Sequence, residues 1–345
     1  MSKIRVFLAG YINYTNAQNL NCRSIAEHLN RDNFEVYTLR AHFGDNKEYH
    51  PNSFMCYKPF SITKHFGFLW GIIICDVAYF SKHIDTPIWV LRFAKLLGKP
   101  LFSTIEGNVS DSSKPNLIKL FRSKRRMQYY FSYFNAVFGI TKYLIATTSN
   151  VVKMKEHPLY LGVEASNYSN YIKESLSSII FVGSLIKRKR VDEFITLSTL
   201  YPDIEFKIVG EGSEMKNLQD DAPSNVKFFG GVSQNVLDDL FSSSQLLYLP
   251  SFSEGFPKVI LEAASAGIPS LVYDTYGASD WIEHRKDGFI ASSFSDVEAI
   301  VDEILNNPEL LQKVSKNTED LANRFDWKNI IDAWEQVIQN LYNGE

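Results

Sequence analysis

Two patterns alternate along the chain. Short apolar, β-branched or aromatic runs are separated by longer stretches whose apolar residues recur at helical spacing. In the first half the runs cover residues 4–10, 35–40, 72–80, 100–107 and 136–141; in the second half they cover 178–185, 204–210, 226–230, 246–251 and 270–274. Strands alternating with helices make βαβ units and parallel sheets. Several runs are apolar on both faces, as strands covered by helices on both sides must be. The halves echo each other: LLGKPLFSTIEGN and SAGIPSLVYDTYG each read as a helix, a Gly C-cap, a Pro and a buried strand. These features predict an α/β chain of two Rossmann-like domains, residues 1–165 and 166–325, meeting in the polar segment 162–178. The last residues, 326–345, read as a terminal helix, with Ile330, Ile331, Trp334, Val337, Ile338 and Leu341 on one face, packing back toward the first domain.

A length of 345 residues agrees with two domains. A net charge of −3 argues against bulk nucleic-acid binding. The three cysteines, Cys22, Cys56 and Cys75, form no disulfide framework and suit a reducing compartment. The start, MSKIRVFLAG, runs almost at once into a strand and reads as no signal peptide. The longest apolar stretch, FGFLWGIIICDVAYF, is interrupted by Asp76 after about ten residues, against roughly twenty needed to span a bilayer.

Chemistry concentrates in FSEGFPKVILEAASAGIPSLVYD, residues 252–274. A loop leaves the strand at 246–251, Pro257 suits a first helical turn and Gly267 ends the helix. The loop therefore sits at the carboxyl edge of a parallel sheet, where open α/β folds bind ligands. Backbone N–H groups across 255–258 suit an anion or sugar hydroxyls. Glu254 stands at that mouth. Glu262 lies about a turn and a half into the helix beside Ala263 and Ala264, which predicts half-burial. A buried carboxylate is costly unless it accepts hydrogen bonds, which the vicinal hydroxyls of a ribose would donate. The pattern alone equally allows Glu254 to cap the helix and Glu262 to be solvated.

EGFPKVILEAASAG resembles the E-x7-E signature of the retaining glycosyltransferases of GT-B fold called family 4, or group 1; the likeness runs over residues 178–304. The resemblance implies a GT-B architecture, two Rossmann-like domains with parallel sheets facing across a cleft. It implies that Glu254 and the backbone of Gly255, Phe256, Pro257 and Lys258 hold the donor sugar and that Glu262 binds the nucleotide ribose. FVGSLIKRKRVDEFI places Lys187, Arg188, Lys189 and Arg190 in one turn. A run of cations is often just a solvated surface, but here it would neutralise a departing pyrophosphate. The segment is similar to the family's Gly-Arg…Lys-Gly phosphate loop. Gly183 opens the turn, Lys189 holds the lysine position, Ser184 stands where arginine is usual and Arg190 where glycine is frequent, so that either Lys189 acts alone or Arg188 substitutes for the arginine. Gly210 and Gly212 read as a tight turn, and the resemblance puts Gly231 and Val232 by the base. In the first half, Glu106 occupies a position usually held by a histidine facing the donor sugar, and Gly10 approaches the phosphates without the family's double glycine.

The resemblance thus implies a retaining, metal-independent transferase of the hexosyltransferase type. It would have no cofactor, a UDP- or GDP-sugar as donor substrate and a glycan or lipid-linked acceptor. Cell-surface polysaccharide or glycolipid synthesis in the cytoplasm, at the inner face of the cell membrane, is the expected setting. The chain has no D-x-D pair and no His/Cys cluster with ligand spacing, so no metal is expected. On a helical wheel of residues 117–138, Lys119, Arg122, Arg125 and Arg126 share a face, a basic amphipathic helix able to contact an anionic membrane. The alternatives are a nucleotide-sugar 2-epimerase of the same fold and a non-catalytic nucleotide-sugar-binding partner.

Overall fold

The computed structural model describes residues 2–49, 51–81, 83, 85–107 and 116–345. The chain divides into two units, Met1–Gly162 with Trp327–Glu345, and Val163–Asp326. The first contains β1 (Ile4–Tyr11), α1 (Ala17–His28), β2 (Phe34–Ala41), β3 (Asn52–Cys56), α2 (Phe60–Ile74), β4 (Val77–Tyr79), α3 (Ile88–Leu96), β5 (Leu101–Ile105), α4 (Leu117–Leu120), α5 (Lys124–Phe131), β6 (Ala136–Gly139) and α6 (Lys142–Thr148). The second contains β7 (Ser178–Val182), α7 (Val191–Leu200), β8 (Glu205–Val209), α8 (Met215–Asp221), β9 (Val226–Gly230), α9 (Gln234–Ser242), β10 (Leu246–Leu249), α10 (Lys258–Ser265), β11 (Ser270–Tyr273), β12 (Phe289–Ala291), α11 (Phe294–Asn306) and α12 (Pro308–Arg324). The closing helix α13 (Trp327–Asn343) returns to the first unit, against α1, β1 and β4, burying Trp327, Trp334 and Ile338. The Trp334 indole N–H donates to the Tyr160 carbonyl at 2.9 Å, so the buried ring keeps a polar partner.

Among the described residues each unit forms a six-stranded sheet, ordered β3-β2-β1-β4-β5-β6 and β12-β11-β10-β7-β8-β9. All pairings are parallel. Counted from each unit's own first strand, both orders read 3-2-1-4-5-6, the doubly wound arrangement whose switch point lies between strands one and four. The α/β, GT-B-like expectation of two parallel-sheet domains holds. The internal echo is also real: β5 and β11 are the fifth strands of their units, each preceded by a helix ending at a left-handed glycine, Gly98 (φ 67°) and Gly267 (φ 76°).

Each of the ten expected runs contains a strand. The two strands that pattern reading missed, β3 and β12, each lie at one edge of their sheet; one begins with Asn52 and Ser53 and the other is three residues long. β3 is exposed or half-buried over its first four residues and so carries no continuous apolar run, and β12 is too short to show one. The run at 72–80 needs correction, because its first residues end α2 and only Val77–Tyr79 is strand. A continuous apolar run cannot tell a buried helix from a strand. The amphipathic helix expected over 117–138 does not exist as one helix. Arg122 takes a left-handed conformation (φ 62°), Ser123 caps a new helix by accepting from the Arg126 N–H at 3.2 Å, and β6 begins at Ala136. Lys119 and Arg122 therefore share no helix face with Arg125 and Arg126.

Candidate active site

The densest chemistry lies at the switch point of the second sheet, where the loops after β7 and β10 meet. The loop after β7 is shaped by backbone contact. A Cβ on Gly210 would fall 1.9 Å from the Gly183 carbonyl oxygen, and one on Gly212 would fall 2.2 Å from that of Leu185. The G-x-G after β8 is thus a close-approach device: it lets one loop lie on the other, with Leu185 N–H donating to the Glu211 carbonyl at 2.9 Å and Glu214 N–H to the Leu185 carbonyl at 3.0 Å. Gly183, at φ 156°, turns the chain out of β7.

Four successive cations leave this turn with different fates. Lys187 is exposed. The Arg188 guanidinium donates to the Ser253 carbonyl at 2.8 Å and to the Glu254 carboxylate at 2.9 Å. The Lys189 ammonium stands 2.7 Å from the other Glu254 oxygen. Arg190 sits in the left-handed region (φ 51°, ψ 43°), which explains why glycine suits this position. It goes elsewhere: it pairs with Glu193 and lies 4.1 Å over the Phe252 ring. Ser184 is exposed and contributes no charge, so Arg188 and Lys189 are the two cations on Glu254.

Glu254 is only 8% exposed. Burial pushes its carboxyl up, but the charges of Lys189 and then Arg188 outweigh that, and it is held below the usual carboxylate range. It does not cap α10; that place belongs to Pro257, without a side-chain bond. Phe256 packs its ring on Trp281 (5.0 Å) and Phe325 (5.3 Å), so this loop residue serves the core. Pro257 stands one residue ahead of the first helical turn expected for it.

Glu262 is half-buried, and no protein group among the described residues donates a hydrogen bond to it. Burial pushes its carboxyl above the usual range, opposed by the charge of Lys258 one turn earlier. Tyr168 lies near enough for the Glu262 charge to add to the burial that raises its phenol. Gly231 and Val232 follow β9 at the same sheet edge, the Gly231 N–H 3.4 Å from the Glu211 carboxylate.

Pattern reading missed the residues that brace this loop. Glu193, on the first turn of α7, is buried and accepts hydrogen bonds from Tyr248 on β10 and, at 2.6 Å, from Tyr273 on β11. Phe252 stacks flat on Tyr273, with centroids 5.0 Å apart and planes 5° from parallel. The spacing of Arg190 and Glu193 could have flagged one ion pair; the two tyrosines could not be found from sequence.

In the first unit, Glu106 follows β5. It accepts from the Asn21 amide and the Thr104 hydroxyl, each at 3.2 Å, and Thr104 also meets the Tyr79 hydroxyl at 2.6 Å. Gly10 has a packing cause: a Cβ there would meet Cys22 at 2.6 Å, so glycine lets α1 close on β1. The loop that follows is held by asparagines. Asn13 bonds both backbone groups of Ala41, and Asn19 accepts from Tyr11 N–H while donating to the Tyr14 carbonyl.

Residues 165–321, under half of the chain and within the second unit, match the model of the family described as Glycosyl transferases group 1. The chain is 29% identical over 226 residues to an uncharacterized glycosyltransferase of Haemophilus influenzae, an alignment covering 57% of this chain and 63% of that one, less than two thirds of its length. It is 26% identical over 306 residues, 76% of each chain, to alpha-galactosylglucosyldiacylglycerol synthase of Streptococcus pneumoniae. Among solved structures it resembles sucrose-phosphate synthase from Thermosynechococcus elongatus, with TM-score 0.83 and 14% identity over 99% of this chain and 100% of that one. It also resembles the Anabaena protein HepE in complex with UDP-glucose, with TM-score 0.76 and 16% identity over 98% and 100% of the two chains. These structural likenesses support the fold.

Proposed function

We propose that this chain is a retaining, metal-independent glycosyltransferase of family 4. In this reading it moves a sugar from a UDP- or GDP-sugar to a hydroxyl of a glycan or lipid-linked acceptor. The observation that carries the reading is the buried Glu254 carboxylate held ionised between Arg188 and Lys189 at the switch point of the second sheet. Two cations against one anion leave a surplus positive charge where open α/β sheets bind ligands, and a diphosphate would use it. Arg188 and Lys189 then stabilise the leaving nucleoside diphosphate as the glycosidic bond breaks. Glu254 and the loop 255–258 hold the donor sugar, and Glu262, short of protein donors, accepts from the ribose hydroxyls. Gly231 and Val232 flank the base.

The UDP-glucose bound to the Anabaena protein supports a nucleotide-sugar donor, and the name of the Streptococcus pneumoniae relative supports a glycolipid acceptor. We assign the acceptor to the first unit and place the protein in the cytoplasm at the inner face of the cell membrane.

The test begins with thermal shifts against UDP-, GDP-, ADP- and CMP-sugars, since a ligand of the folded state raises its melting point. The donor that binds is then offered with glycan and glycolipid acceptors in EDTA, and the product anomer is read by NMR. Transfer with retention in EDTA is the expected result. Binding without turnover across the acceptor pool would show a non-catalytic sugar-nucleotide binder, and an inverted anomer would end the retaining assignment.

A further inference from the structure

Helix α2 has two apolar faces. The inner one, Gly67, Phe68, Gly71 and Ile72, is buried in the first unit. A Cβ on Gly71 would stand 2.4 Å from the Phe7 ring, so glycine there lets the helix press onto the sheet. The outer face repeats Ile62, Phe66, Leu69 and Ile73, spaced four, three and four residues apart, as one side of a helix requires. Ile62, Phe66 and Ile73 are 55%, 58% and 57% exposed. Beyond its first six residues, which include Ser61, Thr63, Lys64 and His65, the helix is apolar all round, which ordinarily marks a core helix or a membrane span. The open outer face excludes the first. At 15 residues α2 is about 22 Å long, short of a hydrocarbon core of about 30 Å, and no described helix is long and apolar enough to cross a membrane.

The neighbouring helices extend this surface. α3 packs on α2, and the His65 and Trp89 rings lie 5.5 Å apart. Trp89, Arg92 and Leu96 follow one another on the outer side of α3, with Leu96 82% exposed. Arg92 donates to the hydroxyls of Tyr129 and Tyr133, which ties α5 and the turn after it to α3. α5 opens with Lys124, Arg125 and Arg126, all exposed. Charge is strongly sorted here. Residues 58–155 hold fifteen of the chain's 36 Lys and Arg but four of its 39 Asp and Glu, although the whole chain is net negative. An apolar stripe edged by aromatics and cations matches the acyl-headgroup boundary of an anionic bilayer. A second copy of the chain would instead meet these cations with its own, and like charge opposes that pairing.

We propose that α2, α3 and α5 form a docking face for an anionic lipid bilayer, with Ile62, Phe66, Ile73 and Trp89 at the acyl boundary and Arg92, Lys124, Arg125 and Arg126 on lipid phosphates. It rests on the proposed membrane location but not on sugar transfer, and it replaces the single basic helix expected over 117–138 with a composite surface. Co-sedimentation of the full chain with vesicles of phosphatidylglycerol and phosphatidylcholine tests it. The wild type binds these and not pure phosphatidylcholine. The double variant Phe66→Glu/Ile73→Glu keeps its melting temperature and binds at least tenfold more weakly, about the effect of losing two apolar insertions. The variant Arg125→Gln/Arg126→Gln weakens binding about fivefold per charge and flattens its salt dependence. The proposal is overturned if the wild type fails to sediment, if Phe66→Glu/Ile73→Glu binds like the wild type, or if that variant turns a wild-type dimer into a monomer. Thermal shifts against UDP-, GDP-, ADP- and CMP-sugars on the same samples separate the two readings. Vesicle binding without donor binding removes sugar transfer and keeps this face; donor binding without vesicle binding does the reverse.

Discussion

The two sheets share one strand order, yet each holds an acid at its carboxyl edge by different means. After β5, Glu106 accepts from an amide and a hydroxyl, Asn21 and Thr104. After β10, Glu254 is pinned between a guanidinium and an ammonium. Uncharged donors orient a carboxylate without changing the charge around it. Two cations keep it ionised despite burial and leave the neighbourhood positive. The doubly wound order decides where loops converge, and loop residues decide which charge they present there. The second unit is therefore electrostatically prepared for an anion, while Glu106 joins a hydrogen-bond chain running through Thr104 to Tyr79.

The hardest blow to that contrast is Glu254→Ala. It strands two partly buried cations, and we expect transfer to fall below about 1% and urea denaturation to report a loss of about 3 kcal/mol. Its pH dependence has a definite sign. A carboxyl held low in the folded state adds stability above the ordinary carboxylate range, and that increment fades as pH falls through the depressed value. Wild type and Glu254→Ala should therefore converge in stability toward acid, and a gap that stays constant down to pH 2 would contradict the ion-pair account. Next comes Lys189→Ala, expected to lower kcat about 100-fold. Arg188→Ala should cost less, because its side chain is 32% exposed against 12% for Lys189. The reverse ranking in steady-state kinetics would make Arg188 the replacement for the arginine absent at Ser184.

A smaller effect is expected at Glu262→Gln, where the two measurements diverge. Calorimetry should show nucleotide-sugar affinity reduced about tenfold. The free protein should gain stability, because the folded state resists ionising Glu262. That gain is absent below the ordinary carboxylate range and grows as pH rises through it toward the elevated folded value. Tighter donor binding by the variant would remove Glu262 from the ribose. Smallest is Glu106→Gln, which should leave UDP-sugar affinity within about twofold while slowing transfer by about tenfold. Loss of donor affinity at Glu106 would erase the contrast between the two edges.

Much of this organisation was legible before any coordinates. Most of these parallel strands are buried on both sides and write continuous apolar runs, so ten of the twelve described strands could be read. Glycine and proline marked the helix ends before β5 and β11 because their backbone limits are intrinsic. The spacing of Glu254 and Glu262 needed only counting along one loop and one helix. Arg190 shows where local reading stops: as the fourth of four cations it looked like its neighbours, yet its left-handed backbone sends it to Glu193 and Phe252.

The sequence by itself determined the alternation of strand and helix, the division into two similar halves and the one segment dense in chemistry, because periodicity and turn signals depend on residues a few positions apart. The tertiary structure decided the rest. It paired Glu254 with cations more than sixty residues away, drew Glu193 to tyrosines on two other strands, and left the outer face of α2 uncovered. Ion pairs and burial depend on which distant segments meet, and one-dimensional periodicity holds no record of that.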